Sequence, residues 1–135
     1  RVYPVYTVIA EKYQAMVMLG QANSRMKDFY DLAVIASRTA LDGATLAAAI
    51  AATFSRRNTA LPKEGPLALT RQFSEDAAKV RQWQAFLNKN RIAAGSLTDT
   101  VKLLELLLWP PTEAAVLLGG ETTAWMPEAG KWTGV

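Results

Sequence analysis

The chain contains no cysteine and no histidine. The first absence rules out a disulfide framework and any thiolate metal site, and it makes a reducing cytoplasm the natural expectation. The second removes the commonest general base and metal ligand, so Ser-His-Asp and Cys-His triads are excluded within this segment. Metal chemistry is left to carboxylate oxygens of the magnesium type. There is no Gly-rich phosphate loop: Gly119-Gly120 is an isolated pair without the P-loop lysine and reads as a turn. The longest apolar runs, Leu103 to Trp109 around Glu105 and Ala47 to Phe54, fall well short of the roughly 20 residues that a membrane-spanning helix needs. No secretory signal fits the start, because Arg1-Val2-Tyr3-Pro4 leads into an amphipathic segment rather than an apolar core with a cleavage site. The chain begins without an initiator methionine, and a piece of a longer protein is the expectation.

What is present suits a helical domain. With 135 residues, half of them hydrophobic, the chain is long enough for one compact unit or two small helical layers. The formal charge of +3 permits contact with nucleic acid or nucleotides without requiring it. Thr7 to Leu19 has the period of a helix, with Pro4 in or ahead of its first turn and Gly20 placed to stop it. A second helix starts near Ser24, capped by Asn23 or Ser24, and runs to about Arg38. Asp42-Gly43 marks a turn before an alanine-rich helix from Ala44 to Arg57, with Leu46, Ile50 and Phe54 on one side. Asn58 to Leu69, with two prolines and a glycine, reads as the loop between segments 1–60 and 61–135, the second packed on the first. A fourth helix follows from a Ser74 cap to about Lys89, its polar face carrying Lys79, Arg81 and Lys89, with Arg91 nearby. Ser96-Leu97-Thr98-Asp99 opens a fifth, directing Val101, Leu104, Leu107 and Leu108 inward, and Pro110-Pro111 should end or interrupt it. Glycine and proline spacing beyond Leu118 argues for an irregular tail strapped over apolar surface by Trp125 and Trp132. The whole predicts an all-α bundle of about five helices with an irregular Trp-containing tail.

One charge is out of place in this pattern. On the first helix Val5, Ile9, Lys12, Met16 and Leu19 fall within one narrow stripe, with Lys12 near its centre. An ammonium there needs a carboxylate or a cleft holding an anionic ligand, because its desolvation is costly. Asp28, which shares a side with Leu32 and Ile35, is a second charge on an apolar stripe, and Asp31 lies three residues on. Spacing leaves three readings open: a semi-buried Lys-Asp pair orienting two helices, a lysine whose stem packs while its head reaches water, or a ligand site.

The order of residues in this region resembles the later motifs of the AbiEii/AbiGii toxin family, nucleotidyltransferase-like proteins of bacterial abortive-infection and type IV toxin–antitoxin systems. The specific part is Thr7-Val8-Ile9-Ala10-Glu11-Lys12 followed by Asn23-Ser24-Arg25-Met26-Lys27-Asp28-Phe29-Tyr30-Asp31-Leu32. The likeness continues through Ala49-Ile50, Ala52-Thr53-Phe54, Arg57 and Trp83-Gln84-Ala85-Phe86-Leu87 into Trp125-x-Pro-x-x-Gly-x-Trp132. In that family a nucleotide-binding half with a Gly-Ser turn and paired magnesium-binding aspartates precedes these motifs, and neither is present in this chain. The resemblance implies that Lys12 engages the phosphates of a nucleoside triphosphate, that Asp28 is the aspartate of the last motif, and that Arg25 and Lys27 help to hold the nucleotide. It implies Mg2+ and nucleoside triphosphate in the full-length protein, no activity in this piece alone, a possible RNA acceptor and a cognate antitoxin as partners.

A rival reading is a helical module without catalysis, whose basic fourth-helix face or tryptophan tail binds RNA or a protein, with Lys12 and Asp28 purely structural. Arg56-Arg57 at a helix C-terminus reads as a solvated pair favoured by the helix dipole rather than a phosphate site.

Overall fold

The computed structural model describes residues 4–117 and 123–134. Its elements are α1 (Pro4–Leu19), α2 (Met26–Arg38), β1 (Leu41–Asp42), α3 (Gly43–Arg56), α4 (Arg71–Ser74), α5 (Ala77–Asn90), α6 (Leu97–Val116), β2 (Thr123–Met126) and β3 (Lys131–Gly134). The fold is mainly helical but not purely α, because the three short strands form an antiparallel sheet in the order β1-β2-β3. The Gly119-Gly120 pair lies outside the described residues.

Local chemistry accounts for most boundaries. Pro4 opens α1, and Gly20, at φ 51°, ends it in a left-handed conformation that glycine adopts without strain. Asp42 caps α3 by accepting the Thr45 amide at 2.8 Å, and Ser96 caps α6 by accepting that of Asp99 at 3.0 Å. Neither Asn23 nor Ser24 caps α2. Its cap residue is Arg25, which has no side-chain cap bond, while Asn23 Oδ1 accepts the Arg25 amide at 2.8 Å just before the helix. The expected Ser74 cap is also replaced: Ser74 ends the short α4, and Asp76 caps α5 through the amides of Ala78 and Lys79.

The core is organised around α6, which packs against α2 and α3 and buries Val101, Leu104, Leu107 and Leu108. Leu46, Ile50 and Phe54 of α3 face inward as their spacing predicts. One apolar cluster joins Ile9, Phe29 and Ile50 to Phe73, Trp83 and Leu104, so residues from both sides of the long loop share it.

Two expectations about the C-terminal region are corrected. Helix α6 does not stop at Pro110-Pro111 but continues to Val116. Proline at 111 deprives the Leu107 carbonyl of its i+4 donor, and the Trp132 indole N–H supplies a replacement at 3.1 Å. Thr112 Oγ1 adds a bond to the Leu108 carbonyl at 2.6 Å. The tail is a hairpin rather than irregular over its described residues: Pro127 and Gly130, which argued against regular structure, lie in its turn. Ala129 and Gly130 amides both bond the Met126 carbonyl, at 3.1 and 2.8 Å, with Gly130 at φ 62°. Trp125 and Trp132 are directly paired across β2 and β3, ring centroids 5.4 Å apart. The strap expected of these rings is nonetheless there, since Trp125 is fully buried and its indole bonds the Ala36 carbonyl in the last turn of α2 at 2.7 Å. Gly43 completes the junction, lying so close to Thr123 that a Cβ there would fall on the Thr123 hydroxyl and force it to shift.

Candidate functional site

The first two helices bring together the residues singled out by their pattern. Ile9, Tyr13 and Met16 seat α1 in the core, which fixes Lys12 at the border of that face with 21% of its side chain exposed. On α2, Phe29 and Leu32 are fully buried and hold Asp28 inward, its side chain 7% exposed. Lys12 Nζ donates to Asp28 Oδ1 at 2.9 Å and lies 3.2 Å from Asp31 Oδ2. Each carboxylate has a second cation. Arg25 Nε is 3.1 Å from Asp28 Oδ2, close enough to pair but not aligned for a hydrogen bond, and Lys27 Nζ donates to Asp31 Oδ2 at 2.7 Å. Three cations and two carboxylates thus form one network with a surplus of positive charge.

The electrostatics favour the charged forms of Lys12 and Asp31. Burial alone would lower the Lys12 pKa, but hydrogen bonds and charge from Asp28 and Asp31 outweigh it and hold the ammonium above the ordinary lysine value. For Asp31, burial pushes upward and is outweighed by Lys27 and Lys12, which hold the carboxyl below its ordinary value. Lys12 is therefore a fixed positive charge rather than a base.

Two clefts meet at this lysine. One, of ≈ 460 Å³, is lined by Val8, Glu11, Lys12, Met18, Arg25 and Arg57 among others. The second, of ≈ 360 Å³, runs along α2 past Tyr30, Asp31, Val34 and Arg38 and again includes Val8 and Lys12. Glu11 stands beside the first cleft and clamps α1 to the end of α3, its carboxylate bonded to Arg56 at 2.6 Å and Arg57 at 2.7 Å. Burial raises the Glu11 pKa, but the two arginines more than reverse this.

All of Lys12, Arg25, Lys27 and Asp28 are in the network. The sequence did not reveal that Asp31 touches Lys12 directly or that Arg57 reaches the cleft through its pairing with Glu11. The i,i+3 spacing of Asp28 and Asp31 was the available signal for the first, whereas contact between α1 and the end of α3 has no local signature. Lys79 is also placed differently from its expected polar face: it is buried at 5% exposure, leaving Arg81, Lys89 and Arg91 exposed on and beyond α5.

The sequence over residues 1–104 matches the model of the family described as nucleotidyl transferase AbiEii toxin, type IV toxin–antitoxin system. The chain belongs to the AbiEii family. No curated protein and no solved structure matches it. In this AbiEii chain the matched region contains α1 to α5 and the entire charge network, while the β2–β3 hairpin lies beyond it. Among the described residues no helix is long and apolar enough to cross a membrane.

Magnesium, which nucleotidyl transfer by such a family implies, does not fit the residues here. The described residues contain no group of three or more metal-ligating side chains, and the oxygens of Asp28 and Asp31 nearest one another's cations are already shared among Lys12, Arg25 and Lys27.

Proposed function

We propose that this chain supplies the phosphate-facing α1–α2 part of a nucleotidyl transferase toxin, acting in the cytoplasm, that moves a nucleotide from a nucleoside triphosphate to an acceptor. The acceptor would become esterified at the α-phosphorus as pyrophosphate leaves. The observation that carries this reading is the position of Lys12, an ammonium whose charged form Asp28 and Asp31 favour, on a core-packed helix at the border of both clefts. An ammonium has three donors; among the described residues Asp28 and Asp31 are its carboxylate partners, so a third donor would serve a phosphate oxygen in the cleft that Lys12 and Arg25 both line. Asp28 acts by holding Lys12 and Arg25, and Lys27 by sharing Asp31 and adding positive charge beside the site. Metal-binding carboxylates and the triphosphate turn would come from outside this segment, so the piece alone is inactive.

In the intact protein, Lys12→Ala is expected to reduce transfer by about a hundredfold or more while circular dichroism stays unchanged. A folded variant that transfers at the wild-type rate removes the main support for the site. For the acceptor we put forward RNA, supported by the net charge of +3 and by exposed Arg81, Lys89 and Arg91. Labelled RNA product from a labelled nucleotide is the measurement, and label found only on protein would redirect the acceptor. A cognate antitoxin is the partner that the family's system supplies.

A further inference from the structure

Lys79 is a buried cation that the site described above does not use. Among the described residues its ammonium has no carboxylate partner: Nζ donates to the Asn23 carbonyl at 2.6 Å and sits 5.3 Å from the centre of the Phe73 ring. A lysine buried on these terms is costly, because one carbonyl and one ring face replace only part of its lost hydration. The carbonyl bond ends on the connection between α1 and α2. Asn23 is itself buried, its Oδ1 accepts the Arg25 amide at 2.8 Å, and three residues after Arg25 comes Asp28, whose own amide bonds the Arg25 carbonyl at 3.0 Å. The start of α2 lacks a side-chain cap, so the connection depends on these contacts for its shape.

We propose that Lys79 is a positioning residue for the Lys12 site: from α5 it holds the Asn23 carbonyl, and through it the connection that sets Arg25 and Asp28 against Lys12. The proposal rests on the reading of Lys12 and Asp28 as the site, and it deepens that reading by tying the site to a helix some fifty residues further along the chain, the bond spanning 56 positions.

The unaltered protein, isotope-labelled at lysine nitrogen and at the asparagine carbonyl carbon, gives the first test. The Lys79 ammonium protons should exchange slowly with water and show a through-bond coupling to the Asn23 carbonyl carbon. Exchange as fast as that of exposed Lys89 overturns the proposal, whether or not any variant folds. In Lys79→Met, the amides of Arg25, Met26 and Asp28 should lose hydrogen-exchange protection by about tenfold or more, while amides in the middle of α6 keep theirs, and Lys79→Arg should recover part of the loss. No change at those three amides, or an equal loss throughout the chain, overturns the proposal. None of these readouts passes through nucleotide transfer, so active Lys12→Ala protein would sink the site reading while leaving the exchange result to stand or fall separately.

Discussion

Lys12 and Asp28 face each other at 2.9 Å, yet their other partners predict unequal shares of stability. Removing the lysine leaves Asp28 with Arg25 at 3.1 Å and Asp31 with Lys27 at 2.7 Å, so neither carboxylate is stranded. Lys12→Ala is therefore expected to cost about 1 kcal/mol or less, a value in the range of partly exposed ion pairs. Removing Asp28 is worse, because it withdraws the common partner of Lys12 and Arg25 and the acidic residue in the first turn of α2, where the helix dipole favours it. About 2 kcal/mol is expected for Asp28→Ala, as for loss of a largely buried charged hydrogen bond. Urea unfolding of both variants checks the order. A lysine variant less stable than the aspartate variant would make Lys12 chiefly structural, and the small expected loss is what allows its effect on transfer to be read as a site effect.

At the level of elements, what repeats along the sequence was legible and what depends on distant partners was not. Helices α1, α2, α3 and α6 are visible in the spacing of Ile9 and Met16, Leu32 and Ile35, Leu46 and Ile50, Leu104 and Leu108, and in caps such as Ser96. For the same reason Lys12 and Asp28 were legible as misplaced charges, since a charge on an apolar stripe breaks the period, while their pairing was one of three readings that spacing left open. The hairpin was missed because its four-residue strands are too short to display a period, and because Pro127 and Gly130 look alike in a turn and in an irregular tail. Pro110-Pro111 misled because the donor that relieves the Leu107 carbonyl is Trp132, twenty-five positions away. This relief is measurable. Trp132→Phe, which keeps a ring but removes the N–H, should cost about 1 kcal/mol. In a Pro111→Ala background residue 111 regains an amide for the Leu107 carbonyl, so the same change should cost measurably less. A double-mutant cycle by urea unfolding tests this, and strictly additive effects would show that the indole bond does not compensate for the proline.

At the scale of the whole molecule, helix α6 and the hairpin act as ties. Leu104, Leu107 and Leu108 share a core with α1, α2 and α3, while Trp125 grips the end of α2 and β2 pairs with β1. Residues 4–117 and 123–134 should therefore unfold in one transition, with calorimetric and van't Hoff enthalpies in agreement; two separated transitions would indicate that segments 1–60 and 61–135 are independent. The response of this unit to pH follows from its ionised groups. Glu11, Asp31 and Asp42 have folded pKa values below their ordinary ones, Glu11 and Asp31 because the cations overcome burial and Asp42 because Thr45 donates to it twice. As pH falls the unfolded chain takes up these protons first, so their stabilisation is intact above about pH 5 and is lost as pH falls through the depressed values. On the alkaline side the sign reverses. Lys12 is held above its ordinary value, and burial pushes Tyr13 up to about 12 despite its bond with Thr112. Their contribution is intact below the unfolded values, near pH 10, and is lost as pH rises through the folded ones. Between these windows no histidine is present to titrate. Urea midpoints should consequently form a plateau from about pH 5 to 9, falling on both sides. A step near neutrality in a protein whose α-amino group is blocked would require a strongly displaced carboxylate or lysine, and would overturn this account of the charges.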